Sequence, residues 1–219
     1  QRQMCIRDRY NERLLRLLAE TQIPKVFLDT SSLVSPDELN GDLLLMESRN
    51  SVRNITAHLL EKGCTLPGFM GDIGYAQSNR ERYEGFCQAL MDAGKTPNPS
   101  LCLTTPLGID SYREEIDSFL SSLSRMPDAF VCASDYVACI LMQLLEKRGL
   151  RVPEDVAVSG FDNNIEDLLA ENLTTVQVFN EELGSRLALQ ILYRIKYPHT
   201  PHEVTYLESK VLYRASTGD

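Results

Sequence analysis

The feature that most constrains the fold is a repeated alternation of short, continuously apolar runs with amphipathic stretches of helical period. The runs are "KVFLD" (25–29), "DLLLME" (42–47), "LPGFMGD" (66–72), "SLCLTT" (100–105), "DAFVCAS" (128–134) and "DVAVSGF" (155–161). Between them lie helical patterns at 51–63, 79–94, 111–123 and 135–149, with Gly63, Gly94 and Gly149 placed as stops. A further helix is predicted over 180–197 and an extended segment over 204–216. Strands that are apolar throughout, rather than every second residue, belong to a sheet covered on both faces. Repeated β–α units with short connections predict parallel sheets flanked by helices, the α/β class.

That architecture tells us where to look for function. Ligands of open α/β sheets bind beyond the carboxyl ends of the strands. Polar groups recur there: Asp29, Asp72, Ser134 with Asp135, and Asp162, Asn163 and Asn164. Each could merely cap the following helix. Several at one sheet edge favour a polar ligand site.

Composition narrows the function classes. The 219 residues are 43% apolar, which suits a globular chain with one sizeable core or two small lobes. Lys and Arg number 22 against 31 Asp and Glu, a net charge of −9, so these residues are poor partners for a phosphate backbone. No apolar run is long enough to span a bilayer. The six cysteines form no CxxC pair, and "FVCASD" and "VACILM" set them among apolar neighbours, as expected of free thiols in a reducing cytoplasm. Three scattered histidines, His58, His199 and His202, give little support to a metal site. There is no GxGxxG or Walker loop, no GxSxG elbow and no coherent Ser–His–Asp set, so no cofactor and no enzymatic activity are expected.

The first nine residues stand apart. "RQMCIRDR" fits neither helix, strand nor signal peptide. Met4 to Arg9 back-translates to a sequence resembling the mosaic end of a library transposase. Residues 1–9 are therefore expected to be linker-derived, the alternative being a natural basic tail.

"GFCQAL", "PDAFVCASDYVA", "GLRVPEDVAVSGFDNN", "LTTVQ" and "VLYRAST" occur in the order and approximate spacing of the LacI/GalR family of bacterial transcriptional regulators. The resemblance runs from about Ile23 to Thr217. It implies a two-lobed, type I periplasmic-binding-protein-like fold with the ligand in the cleft. The lobe boundaries would be 10–46 with 178–208 for an N-terminal lobe, and 47–177 with 209–219 for a C-terminal lobe. Ligand contacts would come from Arg82 in "RYEGF", Ser78 one turn earlier, Asp162 in "GFDN", Asp29 in "VFLD", and Ser134. The resemblance also implies a cytoplasmic homodimer, with Cys139 and Met142 facing the second subunit. The effector would be a sugar, nucleoside or purine, and operator DNA would be read by a separate N-terminal domain. A periplasmic or extracellular solute-binding protein of the same fold is the competing reading.

Two positions depart from the family pattern: Met46–Glu47 replaces the frequent Asp–Asn of the first crossover, and Val178 replaces a frequent Gln. The resemblance further implies that the helix-turn-helix, the hinge helix and the first strands of the N-terminal lobe lie outside this sequence, leaving that lobe incomplete. On that reading "KVFLD" is expected to lack parallel neighbours.

Overall fold

The computed structural model describes residues 12–108, 110–163 and 171–219. The expectations that fall on residues 1–9 and on Asn164 lie outside the described residues.

Two parallel sheets organise the molecule. The first contains β1 (Val26–Leu28), β2 (Asp42–Met46) and β8 (Val204–Leu207), in the order β1-β2-β8. The second contains β3 (Pro67–Met70), β4 (Cys102–Leu103), β5 (Ala129–Cys132) and β6 (Ala157–Ser159), in the order β4-β3-β5-β6. A short antiparallel pair, β7 (Thr175–Gln177) with β9 (Lys210–Leu212), lies beside the end of β6. The chain passes between the sheets three times: after Met46, after Gln177 and after Leu207.

The first sheet shows why its strands read as uniformly apolar. Leu43 and Leu45 of β2 pack with Phe27, Val34, Leu39 and Leu15, the last from α1 (Glu12–Glu20). Leu44 and Met46 point to the other face, against Leu183 of α6 (Asn180–Lys196). Successive side chains of a strand alternate faces, so a strand covered on both sides needs apolar residues at every position.

The second sheet repeats the logic. Ala129 and Val131 of β5 face α2 (Arg49–Glu61) and α3 (Gln77–Asp92), meeting Ile55, Leu59, Phe86 and Leu90. Phe130 and Cys132 face α4 (Tyr112–Ser122) and α5 (Asp135–Lys147), meeting Ile116, Leu120, Leu141 and Leu145.

Three expectations are corrected. "KVFLD" does have a parallel neighbour: Val26, Phe27 and Leu28 pair with Asp42, Leu43 and Leu44. The apolar run at 42–46 supplies that partner. Residues 204–216 are not one extended segment, because the chain leaves the first sheet at Leu207 and joins β7 at Lys210. Cys139 is a core residue, 5% exposed and clustered with Val137, Ala138 and Leu141 within a single chain. It has almost no surface to offer a second subunit. Met142 is half-buried against the same core.

Among the described residues the five cysteines are free thiols. Burial pushes the thiols of Cys64 and Cys132 well above the usual range.

Candidate functional site

The carboxyl ends of β1, β5 and β6 converge on the first turns of α3. Arg82 lies there, 8% exposed. Its Nη1 donates to the Ala133 carbonyl at 2.5 Å, and the guanidinium sits 3.6 Å above the Phe161 ring. Its Nη2 lies 3.7 Å from Asp162 Oδ1, and its Nε is buried without a partner among the described residues. A buried donor left unmade costs free energy, roughly 1–3 kcal/mol for a group of this kind. The arginine is thus held by ring and carbonyl while keeping unused hydrogen-bonding capacity.

Asp162 complements it. Its backbone has φ 110°, and its amide donates to the Val176 carbonyl at 3.0 Å. The side chain keeps 44% of its surface accessible. Desolvation nevertheless raises its pKa, outweighing the lowering by Arg82. A carboxylate recessed at the strand ends has both properties: part of its surface is accessible, yet protein surrounds it.

The turn bearing Asp162 is fixed by the "LTT" and "RAST" motifs. Ser216 Oγ donates to the Val158 carbonyl at 2.6 Å and accepts from the Thr174 amide at 2.8 Å. Arg214 donates to the Leu173 carbonyl at 3.0 Å and to Asn163 Oδ1 at 2.8 Å. Asn163 in turn donates to Gln177 Oε1 at 2.5 Å. The motifs therefore buttress the loop that presents Asp162.

Asp29 and Ser78 also meet, but each is occupied by the other. Asp29, in left-handed backbone at φ 59°, accepts from Ser78 Oγ at 2.5 Å, from the Ser78 amide at 3.3 Å and from the Thr30 amide at 2.7 Å. Ala76 at the N-cap of α3 has no side-chain oxygen to offer, so Asp29 from the other sheet caps that helix instead. Ser134 sits next to Ala133, but its hydroxyl accepts from the Val137 amide at 3.3 Å as the N-cap of α5. Asp135 is buried and accepts from Thr175 Oγ1 at 2.6 Å. The five expected residues thus divide into an adjoining pair, the buried Arg82 and the partly accessible Asp162, and three engaged in capping or interlobe bonds.

Sequence reasoning missed Phe161, whose ring seats Arg82, and Glu81 with Tyr206, which join α3 to β8. Phe161 was visible inside "SGFDN"; its position under a cation is a tertiary fact with no local signal. Gly85 carries a clearer one. A Cβ there would lie 2.2 Å from the Arg49 carbonyl oxygen, so glycine lets α3 pack closely on α2 and aims Arg82 at the sheet.

Two α/β lobes with polar groups at their facing strand ends define a binding protein of the periplasmic-binding-protein-like class. The chain belongs to that family, whose periplasmic binding protein-like domain model matches residues 56–217. Its relatives are LacI-type regulators. It is 30% identical over 209 residues to the HTH-type transcriptional repressor PurR of Aliivibrio fischeri strain MJ11, covering 94% of this chain and 61% of that protein. The HTH-type transcriptional regulator DegA of Bacillus subtilis is 30% identical over 173 residues, covering 78% of this chain and 49% of that protein. A solved complex of the transcriptional regulator CelR with cellobiose superposes with a TM-score of 0.76 at 25% identity, covering 94% of this chain and 69% of the other. The chain spans about three fifths of the length of the PurR relatives it matches.

Proposed function

We propose that this chain is the effector-binding region of a LacI-type transcriptional regulator, and that a small polar effector, a sugar or sugar-like molecule, binds between the lobes. The observation that carries this reading is the Arg82–Asp162 pair: a planar donor with a buried, unpartnered Nε beside a recessed, solvent-reached carboxylate. A guanidinium fork donates to paired oxygens, and a carboxylate accepts from hydroxyl or amine hydrogens. Together they suit a polyhydroxylated ring or a purine. A solved relative supports the sugar class, the transcriptional regulator CelR having been obtained as a complex with cellobiose.

The lobes are assigned as 12–46 with 178–208, and 47–177 with 209–219, the joins falling where the chain passes between sheets. A ligand held by both lobes stabilises their closed arrangement by its differential affinity for it. We place the protein in the cytoplasm as a homodimer whose operator DNA is read by a separate helix-turn-helix domain. The chain as a whole, with a net charge of −9, repels phosphate. Among the described residues no helix is long and apolar enough to cross a membrane.

The test is a thermal-shift panel of monosaccharides, disaccharides, nucleosides and purine bases. A true effector at a hundred times its Kd adds about 2.7 kcal/mol of stability and raises the Tm. A panel in which no member shifts the Tm at millimolar concentration contradicts the sugar-or-purine assignment.

A further inference from the structure

The first turns of α3 are bound to the first lobe, although the rest of that helix belongs to the second. Phe86 and Leu90 pack into the second lobe's core with Phe69, Ile55 and Val131. The Gln77 amide, by contrast, donates to the Thr30 carbonyl at 2.8 Å, and Ser78 is held by Asp29. One turn on, Glu81 is 3% exposed, and its Oε1 accepts from the Tyr206 hydroxyl of β8 at 2.9 Å. Gln77 Nε2 donates to the same oxygen at 3.2 Å. Glu81 precedes Arg82 directly, so the residue that ties the helix to the first lobe adjoins the residue poised toward the cleft.

We propose that the Glu81–Tyr206 hydrogen bond is an interlobe latch, which holds the lobes together without effector and makes both residues positioning residues for Arg82. Its role rests on the effector-binding reading, but its existence as a latch does not. The bond is a costly one to place here. Desolvation raises the pKa of Glu81, and Asp29 raises it further, against lowering by Tyr206, Gln77 and Arg49. Burial, with the adjacent Glu81, pushes the Tyr206 phenol up to about 12. On its own side Glu81 meets Gln77 of the same helix and the field of Arg49 at the start of α2. It also reaches the lobe that α3 does not belong to. Rotation of the lobes must break this bond or carry it along. A latch that populates the closed arrangement lowers the apparent Kd by raising the competent fraction, without touching the ligand.

Hydrogen exchange on the chain without any effector tests it. The Gln77 and Ser78 amides bond across the lobes, so their exchange reports lobe separation. Tyr206→Phe removes only a hydroxyl, and Glu81→Leu removes the acceptor. Both should speed exchange at Gln77 and Ser78 by roughly 3- to 10-fold, the effect of one net hydrogen bond, and leave β5 (129–132) unchanged. Glu81→Gln keeps an acceptor oxygen and should restore slow exchange. Unchanged exchange at Gln77 and Ser78 in Tyr206→Phe, or equal acceleration throughout β5, would overturn the latch. Because no effector is present, a failed ligand panel leaves this result standing.

Discussion

Asp162 shows how a side chain proposed to bind the effector can work against the fold that carries it. Its pKa is raised in the folded chain by desolvation, so the ionised form is less favourable there than in the unfolded chain. The penalty is absent below the ordinary carboxylate pKa and grows in as pH rises through the raised one. Asp162→Asn is therefore expected to raise the Tm at neutral pH, with the gain vanishing in acid, while effector affinity falls. Melting curves from pH 3 to pH 8 check it; a Tm gain that persists at pH 3 would rule out titration of Asp162 as the cause. Gly85 gives the opposite lesson. Alanine favours helix over glycine by about 1 kcal/mol. The added Cβ would meet backbone 2.2 Å away, however, and overpacking costs roughly 1–3 kcal/mol. Gly85→Ala should thus lower the Tm by a few degrees and weaken effector binding, because α3 must move to admit it.

Among elements, α6 owes its place to a buried ion pair that its sequence does not advertise. Arg194 and Asp42 are 3% and 2% exposed at their side chains. Asp42 also accepts from Gln190 Nε2 at 2.6 Å and from the Glu203 amide at 3.0 Å. Desolvation pushes the Asp42 carboxyl up, but the bonds from Gln190, Arg194 and Glu203 outweigh it, so the net shift is downward. This stability is present above the ordinary carboxylate pKa and is lost as pH falls through the lowered one. Arg194→Ala strands Asp42 as a buried charge, at a cost of roughly 3–5 kcal/mol. Denaturant unfolding of Arg194→Ala should show a loss of that order; a loss under 1 kcal/mol would mean that water or Gln190 replaces the arginine. The ends of most helices and strands were legible because Gly and Pro punctuate them and the strands are apolar throughout. The three-residue strand β7 was not, since only Val176 of its residues Thr175, Val176 and Gln177 is apolar, whereas β1 and β6 sit in longer apolar runs. Nor was the division of 204–216, where Glu208 and Ser209 interrupt the pattern without a breaker residue. Cys139 misled for a related reason: α5 is apolar on most of its circumference, and a helix packed against both α4 and the sheet reads like one with a face to spare.

At the scale of the molecule, the alternation of strand and helix was enough to place polar groups at facing sheet ends. The motif resemblance named Asp29, Ser78, Arg82, Ser134 and Asp162 alike as ligand contacts. What neither could supply was the accounting of bonds. Asp29 and Ser134 follow strands β1 and β5 and Ser78 lies in the first turn of α3, yet their hydrogen bonds are spent on capping helices and joining lobes. That accounting depends on which residues the crossovers bring together, and sequence spacing carries no measure of it. It also sharpens the central claim, since it leaves Arg82 with Asp162 as the pair we propose for the ligand. Isothermal titration calorimetry of Arg82→Ala and the parent chain, with the ligand that gives the largest thermal shift in the panel, tests this most directly. The expected result is a loss of roughly 2–4 kcal/mol in binding free energy, from removal of a charge-assisted and partly buried donor set. Equal affinity in the two proteins would contradict it.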